Sequence, residues 1–142
     1  MPLEAIAFAA SILLLFPMFY FLVTTFAFFL RSLEHPSATI LLRGVFSVCF
    51  LAVAVFGAIG AAGFAGAGRT GVAAGAGLVA LLAFAARTWF LARIDRAVQA
   101  RDGGDAGAVR QLRRLQVGGM AYNAAQFLTV LGSIPAVFPN GI

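Results

Sequence analysis

The sequence AIAFAASILLLFPMFYFLVTTFAFFL, residues 5–30, contains no charged side chain. An α-helix needs about 20 apolar residues to cross the ~30 Å hydrocarbon core of a bilayer. The whole chain of 142 residues has a similar character, with 62% hydrophobic and 11% charged residues. Soluble domains have about 45–50% apolar and about 25% charged residues. The sequence therefore predicts an all-α integral membrane protein.

Three further apolar segments follow this one, and the four together predict a single transmembrane domain over residues 1–142. The spans are expected at about residues 5–30, 40–62, 71–92 and 118–138. The first span is interpreted as a retained helix and not as a signal peptide, because Glu4 precedes it and its apolar part is too long. The predicted fold class is a four-transmembrane-helix bundle.

One strongly polar stretch, about residues 93–116, separates the third and fourth spans. Apolar residues recur in it at helical spacing, so it is predicted to form a cytoplasmic helical hairpin. Gly103 and Gly104 are expected to end the first arm, and Asp105 to cap the second. Folding the arms about these glycines is expected to bring Asp95 near Arg113.

The arginines predict how the chain is oriented in the membrane. All ten basic residues are Arg, and only Arg69 lies in the second connection. The positive-inside rule puts the first and third connections in the cytoplasm and both termini on the other side. Arginine without lysine, with many Gly and Ala, is typical of GC-rich bacterial genomes, so a bacterial inner membrane is expected. The arginines of the first and third connections and their flanks are Arg31, Arg43, Arg87, Arg93, Arg96, Arg101, Arg110, Arg113 and Arg114.

The fourth span carries a polar face inside an apolar segment, LQVGGMAYNAAQFLTVLGS, residues 115–133. In hydrocarbon an unpaired amide costs several kcal/mol, so these side chains are expected to face other helices or a wet cavity. Two interpretations remain open, which are hydrogen bonds between helices and a pocket for a ligand or an ion. The residues of this face are Tyr122, Asn123, Gln126, Thr129 and Ser133.

Two other features indicate binding surfaces. The pairs Gly57-x-x-x-Ala61 and Gly71-x-x-x-Gly75 are typical of close helix packing, either within the bundle or between chains. The arginines of the hairpin are candidates to contact anionic headgroups or a partner protein, or they set only the orientation. These arginines are Arg93, Arg96, Arg101, Arg110, Arg113 and Arg114.

No metal site or cofactor is expected. Cys49 is the single cysteine and His35 the single histidine, and such sites need several ligands that converge. The net charge of +5 is attributed to loops beside an anionic leaflet, so no nucleic-acid partner is expected. The expected partners are the lipid bilayer, with its anionic headgroups, and a protein partner or a second copy of the chain.

The segment RQLRRLQVGGMAYNAAQFL, residues 110–128, resembles the final helix of the DUF4149 group of bacterial four-helix membrane proteins, which is related to the TMEM205-like proteins. These proteins have a charged cytoplasmic hairpin, then Arg-Leu-His, then a span with Asn and often a Gln three residues later. Arg114-Leu115, Asn123 and Gln126 match, while Gln116 replaces the histidine. The resemblance covers the C-terminal third and implies an architecture, not a reaction.

Three kinds of function agree with these features to different degrees. The first is a non-catalytic membrane protein that acts as an accessory or assembly subunit, or as a small homo-oligomer. The second is a transporter or channel for a small solute that uses the polar face of the fourth span. The third, a membrane enzyme acting on a quinone, a haem precursor or a lipid, ranks lowest because no acid, base or ligand set is visible.

Overall fold

The computed structural model describes residues 2–139, and most of them are helical. Helix α1 runs over Pro2–Ala27 and continues as a 3₁₀ turn at Phe28–Leu30. Helix α2 covers Pro36–Gly66, α3 covers Thr70–Asp102, and α4 covers Ala108–Val137. No strand occurs among the described residues, so the predicted all-α class is confirmed.

Consecutive helices run in opposite directions and form a bundle. Helix α2 packs along α1 on one side and α3 on the other, and α4 lies between α1 and α3. Phe8 of α1 meets Phe138, which follows α4, with ring centroids 4.9 Å apart. Near the opposite ends of the same two helices, Gln116 donates a hydrogen bond to the carbonyl of Thr25. The helices are therefore antiparallel neighbours, as in an up-down-up-down bundle.

The two ends of the bundle differ in charge. One end contains the loop of residues 31–35 and the turn of residues 103–107, together with most of the arginines, and we call it the basic end. The opposite end contains the turn of residues 67–69, where Arg69 donates to the carbonyl of Val137 at 2.6 Å. This distribution follows from the antiparallel packing, which brings the first and third connections together.

Aromatic rings fill the core toward the basic end. Phe21, Phe46, Phe50 and Phe90 come from three different helices and are almost fully buried. The centroids of adjacent rings in this group lie between 4.9 and 5.8 Å apart, mostly edge to face or tilted. Such arrangements favour aromatic pairs beyond the area that they bury. This cluster holds α1, α2 and α3 together around the point where α4 crosses them.

The outside of the bundle is apolar over most of its length. Large side chains on all four helices are exposed, including Phe16, Ile40, Leu81 and Leu128 at 65–70%. A monomeric soluble protein rarely exposes so much contiguous apolar surface. The segments Pro2–Leu30, Pro36–Gly66 and Thr70–Asp102 are each long and apolar enough to cross a membrane. These features indicate a membrane protein.

Helix α4 is not among those three segments. Its first turns carry Arg110, Arg113 and Arg114, and its middle carries Asn123 and Gln126. These side chains lower its mean hydropathy relative to the other helices.

The turn between α3 and α4 agrees with the sequence in one respect and differs in another. Gly103 follows α3 as its C-cap, and Gly104 has a φ of +91°, a conformation that glycine adopts without strain. The prediction that Asp105 caps the next helix is wrong, because the N-cap is Gly107. The carboxylate of Asp105 instead accepts a hydrogen bond from the Gly107 N–H at 2.8 Å.

The expected proximity of Asp95 and Arg113 is also wrong. Asp95 accepts a hydrogen bond from Nε of Arg43 at 2.6 Å and a second from its Nη2 at 3.2 Å. Asp95 lies on the side of α3 that faces α2, whereas Arg113 lies on the side of α4 that faces α1. Spacing along the chain places both residues near the turn but does not define these helix rotations.

Candidate functional site

The polar face of α4 contacts main-chain carbonyls of neighbouring helices. Asn123 is fully buried, and its Nδ2 donates to the carbonyl of Met18 on α1 at 2.8 Å. Gln126 is half-buried, and its Nε2 donates to the carbonyl of Val79 on α3 at 3.4 Å and to the hydroxyl of Tyr122 at 3.0 Å. The structure therefore places Tyr122, Asn123 and Gln126 at the seams that α4 forms with α1 and α3.

The two hydroxyls of this face lie farther along α4 and bond within their own helix. Thr129 donates to the carbonyl of Ala125, and Ser133 donates to the carbonyl of Val130, both at 2.8 Å. Both residues line a cavity of about 320 Å³ between α1, α3 and α4 near the opposite end. Ser11 lines the same cavity and donates to Ala7, while most of the remaining wall is apolar.

Gln116 belongs to the same seam, although the sequence pattern did not single it out as a site. Its side chain is fully buried, and its Nε2 donates to the carbonyl of Thr25 at 2.7 Å. Its Oε1 accepts a hydrogen bond from Nη1 of Arg113 at 2.7 Å. The signal was the spacing, because Gln116 lies seven residues before Asn123 and so falls on the same face of α4.

Small residues set how closely the helices approach one another. A Cβ atom on Gly57 would lie 3.1 Å from the Cβ of Ala80, and one on Gly77 would lie 3.9 Å from the Cβ of Ala61. The predicted pair Gly57 and Ala61 therefore lies in the seam between α2 and α3. This contact lets two backbones pack with little side chain between them.

The second predicted pair, Gly71 and Gly75, lies elsewhere. Both residues are exposed, and within the described chain no atom beyond their own helix comes within 4 Å of a Cβ placed on either. They line the rim of the 320 Å³ cavity. A glycine that the pattern did not select, Gly63, instead makes the close contact with α1, 3.1 Å from the Cβ of Ala7.

Two of the predicted arginines hold the loop of residues 31–35 against the bundle. Arg113 donates to the carbonyls of Phe28 and Arg31, each at 2.9 Å. Arg101 donates to the carbonyl of Leu33 at 3.1 Å and to the hydroxyl of Thr39 at 2.8 Å, and only 8% of its side chain is exposed. These guanidinium groups therefore stabilise the loop that connects α1 to α2.

The other predicted arginines point away from the core. Arg93 lies over the ring of Trp89, with Cζ 4.2 Å from the ring centroid. Arg96, Arg110 and Arg114 are exposed, and none of them takes part in an ion pair or side-chain hydrogen bond found among residues 2–139. The structure thus divides the six arginines into two that bind the chain itself and four that face its surroundings.

The chemistry of these residues is that of binding and not of bond breaking. In the described part of the chain, no three His, Cys, Asp or Glu side chains converge in a way that could hold a metal ion. Cys49 is buried in α2, and His35 precedes α2 in an exposed loop. Hydrogen bonds from amides to main-chain carbonyls fix helices relative to one another, which is what Asn123, Gln126 and Gln116 do here.

No family model, no curated protein and no solved structure matches this chain. The resemblance of residues 110–128 to the DUF4149 group therefore depends on the residues of α4 alone.

Proposed function

We propose that this chain is a non-catalytic protein of the bacterial inner membrane that crosses the bilayer four times and acts as a small homo-oligomer or assembly subunit. The observation that carries the proposal is the engagement of the α4 amides. Asn123 and Gln126 bind carbonyls of α1 and α3 and so hold α4 in the bundle. The four-helix architecture of the DUF4149 group agrees with this proposal.

A fourth crossing is supported by where α4 lies. It contacts α1 both near its start, through Gln116 and Thr25, and just beyond its end, through Phe138 and Phe8. A helix that accompanies a membrane-spanning neighbour along most of its length occupies the same depth of the bilayer. Its amides are also bonded to protein, which removes the main cost of placing them there.

The basic end supports a cytoplasmic location for the loop of residues 31–35 and the turn of residues 103–107. Arginines on one side of the membrane and a single arginine, Arg69, on the other are what the positive-inside rule requires. Both termini then lie on the non-cytoplasmic side.

Helix α3 supports association with a second copy of the chain. Only 17% of its most apolar segment is buried, compared with 28% in α1 and 39% in α2. Gly71 and Gly75 lie on this exposed part, with open space around them. Two copies related by a two-fold axis would bring these glycines together, because such an interface uses the same surface on both chains.

Native mass measurement of the protein extracted in mild detergent tests this proposal. We expect a dimer or a larger oligomer for the wild type and a monomer for Gly75→Leu, whose side chain would fill the space that a second helix needs. Gly44→Leu is the control, because Gly44 is also exposed with open space around it but lies on α2. A wild-type monomer with no co-purifying protein contradicts the proposal.

A second candidate, transport of a small solute, is favoured by one observation. The cavity of about 320 Å³ between α1, α3 and α4 includes the hydroxyls of Thr129 and Ser133 in its wall. Replacing Asn123 and Gln126 with Leu and measuring solute flux in vesicles distinguishes the two candidates. A folded variant with unchanged flux removes the polar face of α4 from any transport path.

A further inference from the structure

A cleft between α3 and α4 at the basic end combines positive charge with the indole ring of Trp89. The cleft has a volume of about 530 Å³. Its walls are formed by Trp89 of α3, by the turn before α4 and by the first two turns of α4. The lining residues are Trp89, Gly107, Arg110, Gln111, Arg114 and Leu115.

Arg110 and Arg114 lie one turn apart on the same face of α4, so their charges repel each other. The nearby carboxylates are engaged elsewhere. Asp95 pairs with Arg43, and Asp102 pairs with Arg101. Asp105 accepts the N–H of Gly107 at the edge of the cleft. An anion bound between the two guanidinium groups would relieve their repulsion, and guanidinium is well suited to binding phosphate through two hydrogen bonds.

The surface below the cleft is apolar and continues along the same helix face. Val117, Ala121 and Leu128 follow Arg110 and Arg114 at intervals of three, four or seven residues, and all three are exposed. Trp89 stands beside the arginines, at the level where aromatic side chains mark the boundary between headgroups and hydrocarbon. Charge followed by apolar surface along one stripe matches the shape of a phospholipid, with its headgroup at the arginines and its acyl chain along α4.

We infer that the cleft lined by Trp89, Arg110 and Arg114 binds the phosphate of an anionic phospholipid. The inference rests on the proposed membrane placement, but not on the oligomeric state. Arg101 and Arg113 do not belong to this site, because they hold the loop of residues 31–35. Arg93 lies over Trp89 and adds positive charge beside the ring.

Trp89 is the single tryptophan of the chain, so its fluorescence reports on this cleft directly. The test uses the full chain in vesicles made of equal amounts of phosphatidylglycerol and phosphatidylcholine. In one preparation the phosphatidylglycerol carries brominated acyl chains, and in the other the phosphatidylcholine does. The surface charge is the same in both, so only the identity of the lipid beside Trp89 changes the quenching.

We expect stronger quenching by the brominated phosphatidylglycerol, which corresponds to a preference on the order of tenfold for the anionic lipid. R110Q/R114Q should reduce this preference to about that of the bulk mixture, and the single variants R110Q and R114Q should reduce it in part. R31Q/R96Q removes the same charge from exposed positions at the basic end outside the cleft, and it should retain the preference.

Three results would overturn the inference. Equal quenching by the two lipids in the wild type means that the cleft has no preference. An equal loss in R31Q/R96Q and R110Q/R114Q means that the diffuse charge of the surface attracts the lipid. A preference abolished by millimolar inorganic phosphate, but not by sodium chloride of the same ionic strength, assigns the site to a soluble anion. A chain that neither lipid quenches has not entered the bilayer, which counts against the membrane placement instead.

Discussion

Gly119 shows how a single hydrogen atom in place of a side chain allows α4 to pack on the core. A Cβ atom at this position would collide with the ring of Phe46 and would lie 3.5 Å from the ring of Phe21. Gly118, the preceding residue, faces Phe90 at an ordinary contact distance of 3.8 Å. The two neighbouring glycines therefore provide a matched pair in the same turn of the helix.

We expect Gly119→Ala to destabilise the protein by about 1–3 kcal/mol, because the buried rings of Phe46 and Phe21 must move to admit the methyl group. Gly118→Ala should be neutral or stabilise the protein by up to about 1 kcal/mol, because alanine favours a helix interior over glycine. Unfolding of both variants in detergent, followed by circular dichroism, measures the difference. Equal stabilities would mean that α4 does not approach Phe46 as closely as described.

The buried polar residues show what the sequence can and cannot indicate at this scale. The composition of the fourth span identifies Asn123 and Gln126, because amides within an apolar segment require a partner. It does not identify that partner, which is the carbonyl of Met18 for Asn123 and that of Val79 for Gln126. The partners depend on the rotation of α4 against α1 and α3, and side-chain packing over the whole bundle determines that rotation.

The loop of residues 31–35 and the 3₁₀ turn before it are held in place by α4 and not by their own sequence. Arg113 donates to the carbonyls of Phe28 and Arg31, and its guanidinium lies 5.3 Å from the ring centroid of Phe29. Main-chain carbonyls at the end of a helix lack partners within it, so a cation that donates to them is well placed. The connection between α1 and α2 therefore depends on a residue about 80 positions away in the sequence.

We expect Arg113→Gln to loosen this connection, because hydrogen bonds to a charged group contribute about 1.5–3 kcal/mol and those to Phe28 and Arg31 would be lost. Hydrogen exchange of the amides in residues 28–36 should become about 10 times faster or more. Arg114→Gln is the control, since that side chain is exposed and contacts lipid or water. Unchanged exchange in Arg113→Gln, or equal acceleration in both variants, would contradict this role.

The helices themselves were largely predictable, whereas their ends and pairings were not. Long apolar runs predict α1, α2 and α3 directly, and periodic apolar residues predict that α3 continues past Arg93 to the glycines at residues 103 and 104. Asp95 was assigned to the wrong arginine because chain proximity at a turn favours Arg113, whereas the packing of α2 on α3 brings Arg43 to it. A pairing between helices requires knowledge of both rotations, which a single sequence does not contain.

The whole molecule has one charged end and one nearly uncharged end, and the distribution of arginine predicts which faces the cytoplasm. Topology can be tested with single cysteines, because Cys49 is the single native cysteine and is buried. In a Cys49→Ala background, Thr70→Cys places a thiol at the exposed turn of the opposite end, and Ala106→Cys places one in the exposed turn of the basic end.

We expect a membrane-impermeant maleimide to label Thr70→Cys in intact spheroplasts, and to label Ala106→Cys only after the membrane is opened. The reason is energetic, because nine arginines would have to cross the bilayer for the reverse orientation, whereas the expected one translocates Arg69 alone. Labelling of both thiols after opening shows that each is accessible and provides the control. Labelling of Ala106→Cys in intact spheroplasts would mean that the basic end faces outward, and the cleft at Trp89 would then meet the outer leaflet instead of the inner one.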